Sequence, residues 1–170
     1  MKNFIKNKVY TIVLKGAKMY WRIVKPVSQG ARIILIQDGK VLLVQHRGSR
    51  TWNLPGGGIK KSEDPQQAAL RELYEETRIV CHETDYLLGT YYSTREGKQD
   101  TIFIFVRDGG FTFEKEVYNH FSEHGTSYHD IETEQSEWFP LNQLPDKTTP
   151  ATKRRIQEYL DGKRDLVGEW

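Results

Sequence analysis

The sequence predicts an α+β domain, a mixed β-sheet held between helices, and three observations predict it. Two near-continuous apolar runs, ARIILIQ (31–37) and VLLVQHR (41–47), flank Asp38-Gly39, a tight-turn signal that makes them a hairpin. Strand-like runs recur at 86–92, 101–107, around 111–118 and at 131–139. Two capped helical segments fall between groups of strands rather than after every strand. Strands apolar along their whole length belong to a sheet covered on both faces, so helices are expected on each side.

The chain begins with a basic arm. Of its 25 Lys and Arg residues, seven lie in residues 1–25, which hold no Asp or Glu, so this segment carries +7. The other 18, set against all 23 acidic residues, leave the remainder at −5. The apolar stretch VYTIVL is too short for a secretory h-region, Lys15 follows it at once, and no clear cleavage site appears. The simplest reading of residues 1–25 is a solvated basic N-terminal extension docked on the acidic body, with weak membrane-surface contact as its alternative use. PVSQG (26–30) reads as the joint to a main domain over 26–170.

After the hairpin, residues 48–58 read as a loop that ends in three glycines. A helix follows: Asp64 is the N-cap, Pro65 the first helical residue, and Gln67 completes a capping box. Residues 119–130 read as a long loop carrying His120, His124 and His129, whose spacing without a nearby cysteine argues for a substrate-lining loop over a zinc site. The second helix has Thr149 as cap, Pro150 next and Gly162 as its stop. Tyr91, Tyr92, Phe103 and Phe105 alternate as packed sheet residues should.

With 37% hydrophobic and 28% charged residues, the composition is that of a folded globular chain. No apolar run approaches the roughly 20 residues of a membrane span. Cys81 is the only cysteine, so no internal disulfide forms, and a reducing compartment, the cytoplasm, is expected.

The chemistry concentrates in the first helix. On a helical wheel Glu72, Glu75 and Glu76 share one face, while Leu70, Leu73, Tyr74 and Thr77 take another. Like charges at i, i+4 repel, and a helix needing only solubility would interleave lysines. Hard divalent cations such as Mg²⁺ resolve the repulsion, since they take carboxylate oxygens and bridge them to substrate phosphates. Gly56, Gly57 and Gly58 fit the same picture, because bare backbone turns sharply and offers carbonyls to a metal. An exposed acidic helix after a flexible turn is the alternative from the wheel alone.

The spacing goes further. Gly57, five residues, Glu63, seven residues, Arg71-Glu72-Leu73, one residue, Glu75-Glu76, one residue, Arg78 and Ile79 resembles the Nudix box, G-x5-E-x7-R-E-U-x-E-E-x-G-U with U apolar. LPGGG before it and EWFPLNQLP after it are also similar to Nudix sequences. The match departs at Arg78, where the box has its second glycine. An arginine there is expected to alter the helix end while leaving the acidic face intact.

The resemblance implies a Nudix-type α/β/α sandwich and an Mg²⁺- or Mn²⁺-dependent pyrophosphohydrolase. Water would attack a phosphorus of a nucleotide or nucleoside diphosphate derivative. It implies Glu72, Glu75 and Glu76 as metal-binding carboxylates, one of them standing as base with Glu72 ranked first. The Gly56 carbonyl would be a further ligand, and Arg71 would hold the glutamates, with Glu63 as its partner or in the outer shell.

On the substrate side the candidates are Arg47 and Arg50, with Arg32 weaker, for phosphate, and Trp52 for a base. Glu132 and Glu134 are the candidates for a base outside the box. A small-molecule substrate is expected, with no stable nucleic-acid partner; a homodimer is a common arrangement among relatives. A Nudix-fold sensor that binds a nucleotide without turnover is the alternative. The retained glutamates favour the enzyme.

Overall fold

The computed structural model describes residues 27–94, 99–114 and 133–170. The arm at 1–25, His120, His124, His129 and Glu132 lie outside these residues.

The long strand β1 (Val27–Gln37) organises the sheet. It turns through Asp38 and Gly39, both at positive φ (50° and 71°), into β2 (Lys40–His46). The two strands are paired in register only next to the turn, at Ile36↔Val41 and Gln37↔Lys40. Beyond it they part, and the following chain fills the gap. Val44 and Asn53 exchange two backbone hydrogen bonds of 2.9 Å, Ile33 N–H donates to Pro55 O at 3.0 Å, and β3 (Gly56–Gly58) pairs antiparallel with residues 30–32. The glycines expected in a loop are thus a short strand wedged into the sheet. Residues 27–30, expected as a joint, already belong to β1, because β6 (Gln99–Asp108) pairs with it in parallel from Val27 onward.

The remaining strands among the described residues are β4 (Ile79–Val80), β5 (Tyr86–Ser93), β7 (Thr112–Phe113), β8 (Thr133–Pro140) and β9 (Leu166–Glu169). The main sheet runs β8-β2-β1-β6-β5-β9, with β3 on β1, and β4 pairs separately with β7. Of the strand expected around 111–118, the described part is two residues long. β9 was not expected from its sequence. It is four residues long, and Val167 is exposed. Backbone pairing to β5 and a bond from the Arg155 guanidinium to Glu169 O hold it.

Alternation along β1 divides the core. Ala31, Ile33 and Leu35 face helix α1 (Pro65–Thr77) with Ala68, Ala69, Leu70 and Leu73. Ile34 and Ile36 face the other side with Ile156 of helix α2 (Pro150–Leu160). Both helices start as their sequences dictate: Asp64 accepts from the backbone N–H of Gln66 and Gln67, and Thr149 accepts from Thr152. Among the described residues the result is a mixed sheet between two helices. Tyr91 is buried in the α2-side core, but Tyr92, expected to pack likewise, is half exposed. Among the described residues no helix is long and apolar enough to cross a membrane.

Candidate active site

Wedging the 53–58 segment between β1 and β2 sets its glycines against the acidic face of α1. Two of them have no room for a side chain. A Cβ on Gly56, at φ 140°, would lie 2.2 Å from Ala31 O and 2.6 Å from Arg32 Cα, both backbone. A Cβ on Gly57 would lie 2.6 Å from the carboxylate of Glu72. Glu72 therefore fills the space that a side chain at 57 would occupy. Glu76, one turn later and 6% exposed, accepts the Gly56 N–H on Oε2 at 2.9 Å. Its Oε1 lies 3.4 Å from Nδ1 of His46, the last residue of β2.

Arg71 ties the bend to the helix. Its Nε and Nη2 donate to the two oxygens of Glu63 at 2.7 and 3.0 Å, and Nη2 also donates to Gly58 O at 2.9 Å. Nη1 donates to Glu72 at 2.8 Å and Glu75 at 3.1 Å. The forked guanidinium suits this bidentate task in a way that an ammonium does not. Arg71, helped by the Lys60 N–H, holds the Glu63 carboxyl down to about 2, and Glu63 in turn raises Arg71. Glu75 is half exposed and turns toward Arg71 and Lys60, whose Nζ is 3.8 Å away.

The acidic side chains thus meet the glycine bend, in two postures. Glu72 and Glu76 press on it, while Glu75 lies along Arg71. Among the described residues no three metal-ligating side chains converge on a single point. The donor chemistry nonetheless suits a hard divalent cation, since every candidate donor is an oxygen: the carboxylates of Glu72, Glu75 and Glu76 and the Gly56 carbonyl.

The substrate-side candidates separate. Arg47 and Arg50 are exposed in the loop after β2, Arg47 directly following His46 at the rim of the site. Ser49 and Thr51 hydroxyls, 3.0 Å apart, brace that loop. Trp52 is not at the rim: it is 9% exposed in the α2-side core, edge-on to Phe139 at 4.9 Å. Its strand-like bridging to Thr148 draws it inward, so it is a packing residue rather than a stacking platform. Arg32 also points away from a phosphate role, toward Leu54 O and Gly56 O. Glu134 lies in β8, beside the end of β2, where the pairing shifts register between Gln45 and His46.

His46 was missed because a histidine at a strand end carries no signal of its own. Arg32 did carry one: a charge within an apolar strand needs a partner inside the fold.

Arg78 corrects the expected helix end. At φ 58°, ψ 18° it keeps the left-handed exit and donates its N–H to Tyr74 O at 2.8 Å. The chain must turn there to bury Ile79, and the guanidinium lies 5.2 Å from the Tyr74 ring centroid. That contact offsets part of a conformational cost of about 1 kcal/mol.

Comparison with known proteins follows the same lines. The family model for the NUDIX domain matches residues 27–160. A MutT-like protein of Streptomyces ambofaciens is 35% identical over 80 residues, covering 47% of this chain and 51% of that protein, so the chain spans about half of that relative's length. An RNA pyrophosphohydrolase of Rhizobium meliloti (strain 1021) is 30% identical over 142 residues, covering 68% of this chain and 74% of the relative. A NUDIX hydrolase from Nitrosomonas europaea superposes with a TM-score of 0.66 at 26% identity, covering 83% of this chain and 93% of that one.

Proposed function

The chain belongs to the NUDIX family, and from that premise we propose that it is a divalent-metal-dependent pyrophosphohydrolase acting on a nucleotide or nucleoside diphosphate derivative. The observation that carries the proposal is the contact between bend and helix: Glu72 against Gly57, and Glu76 bonded to the Gly56 N–H. Glu72, Glu75, Glu76 and the Gly56 carbonyl would hold Mg²⁺ or Mn²⁺. A bound ion of this kind offsets pyrophosphate charge and lowers the pKa of water.

The chain's own residues supply the rest. Arg71 keeps Glu72 and Glu75 oriented and ties them to the bend. Glu72, part-buried at the bend, is assigned as the base that takes the proton of the attacking water. An oxygen–phosphorus bond forms, the bridging P–O bond breaks, and the leaving phosphate carries away the electron pair. Arg47 and Arg50 at the rim would meet substrate phosphates, and Glu132 and Glu134 stand as the alternative bases.

The test is a panel comprising ADP-ribose, an oxidised nucleoside triphosphate, a dinucleoside polyphosphate, a sugar nucleotide and an RNA with a 5′-terminal pyrophosphate. Each is incubated with Mg²⁺ or Mn²⁺, and the phosphate-containing products are resolved. Turnover of at least one compound, lost in Glu76→Gln, is expected. Binding of a panel member with no turnover under either ion would replace hydrolysis by nucleotide sensing.

A further inference from the structure

Arg32 is a charged residue in the middle of an apolar strand, on the face of the sheet that packs against α2. The glycine bend is built directly on it: a Cβ on Gly56 would lie 2.6 Å from Arg32 Cα and 2.8 Å from its Cγ. Its Nη1 donates to Leu54 O at 2.9 Å and reaches Gly56 O at 3.4 Å. On the far side the guanidinium lies 5.8 Å from the ring centroid of Trp170, the last residue of the sequence. Trp170 is fixed in turn by its N–H on Tyr92 O at 2.9 Å and by the Tyr91 ring 6.3 Å away. Burial pushes the Arg32 guanidinium down from its ordinary value, and the carboxylates of Glu76 and Glu72 pull it back up. Gly56 is thus seated on Arg32 and Gly57 on Glu72, while Arg71 ties Gly58 and Glu72 together from the helix side.

We propose that Arg32, backed by Trp170, is a positioning residue of this site: its guanidinium holds the Gly56 carbonyl and places a fixed positive charge beside that oxygen. The proposal rests on the metal-site reading above. It follows that Arg32 and a divalent ion compete, since both draw on the same carbonyl oxygen and two cations beside it repel. Trp170, which follows β9 and is remote in sequence from the box, would thereby tune the site.

The test is a thermal melt of the full chain, without substrate, titrated with Mg²⁺. Arg32→Gln should lower the metal-free Tm yet shift the half-saturating Mg²⁺ concentration down by roughly three- to tenfold, the scale of removing one charge at this range in a partly solvated site. Arg32→Lys, which keeps the charge, should stay within about twofold of the parent in Mg²⁺ response. A drop in Tm that is the same at every Mg²⁺ concentration in Arg32→Gln, with half-saturation unmoved, means a purely structural role and overturns the proposal.

Should Arg32→Gln not fold, Trp170→Ala takes its place at the end of the chain. A half-saturation lowered by about twofold supports the proposal, and an unchanged one overturns it. A parent protein whose Tm ignores both Mg²⁺ and Mn²⁺ would instead remove the metal-site reading, and this inference with it.

Discussion

Replacing Gly57 by Ala tests the contact between bend and helix more directly than deleting a carboxylate, because it adds one methyl group and removes nothing. The new Cβ would lie 2.6 Å from both Cδ and Oε2 of Glu72 and 2.7 Å from Oε1. Non-bonded carbon contacts settle near 3.5 Å, so the carboxylate must retreat by about 1 Å. It is the end of a flexible side chain and can do so. The retreat weakens its bond to Arg71 Nη1 at 2.8 Å, costing about 1 kcal/mol. Loss of glycine freedom in the unfolded chain returns roughly 0.4–1 kcal/mol, so net stability should change little.

Catalysis should not be so forgiving: a displacement of about 1 Å in a positioned group can cost on the order of 10²-fold in rate. Gly58→Ala is the internal control, since a Cβ there meets nothing within 4 Å. Gly56→Ala is the opposite limit, with the clash at 2.2 Å falling on backbone at positive φ, and should fail to fold stably. The assay is kcat on the best panel substrate alongside Tm for the three variants. A Gly57→Ala enzyme as fast as the Gly58→Ala control would refute the assignment of Glu72 to the reacting centre.

The other predictions can be checked with the same protein. Glu76→Gln keeps the shape of a buried residue but removes its charge, so the rise in Tm on adding Mg²⁺ should vanish and turnover fall by at least about 10²-fold; melts with and without ion read the first, product formation the second. The Glu63 carboxyl is held below its ordinary 4.5, at about 2, so its stabilising effect is present above pH 4.5 and is lost as pH falls toward 2. Arg71→Gln, which removes the larger cause and leaves the Lys60 N–H, should flatten much of the stability profile across that window in urea melts, whereas an unchanged acid limb would discount the pair. Arg78→Gly relieves a left-handed residue but gives up the contact with Tyr74, for a net gain of about 0.5 kcal/mol by urea denaturation; a loss greater than about 1 kcal/mol would show that the ring contact outweighs the strain.

Much of this molecule is legible before folding. Near-continuous apolar runs, Asp38-Gly39, Asp64-Pro65 and Thr149-Pro150 each act through neighbours a few residues away, so hairpin, caps and helices can be read locally. The box spacing marks Arg71, Glu72, Glu75 and Glu76 in the same way, because a helix fixes which side chains share a face. The left-handed exit at Arg78 was misread because residue preference is only a weak force there: burial of Ile79 and the Tyr74 ring outweigh it.

What the sequence determined by itself was the set of groups: a charged helix face, three glycines, a covered sheet. Only tertiary structure decided which atoms those groups meet. The parting of β1 from β2 admits the glycine strand between them, presses Gly57 on Glu72 and Gly56 on Arg32, draws Trp52 into the core and brings His46 to Glu76. Each of those contacts joins residues far apart along the chain, and they form through packing and backbone pairing across the sheet, which no local pattern encodes.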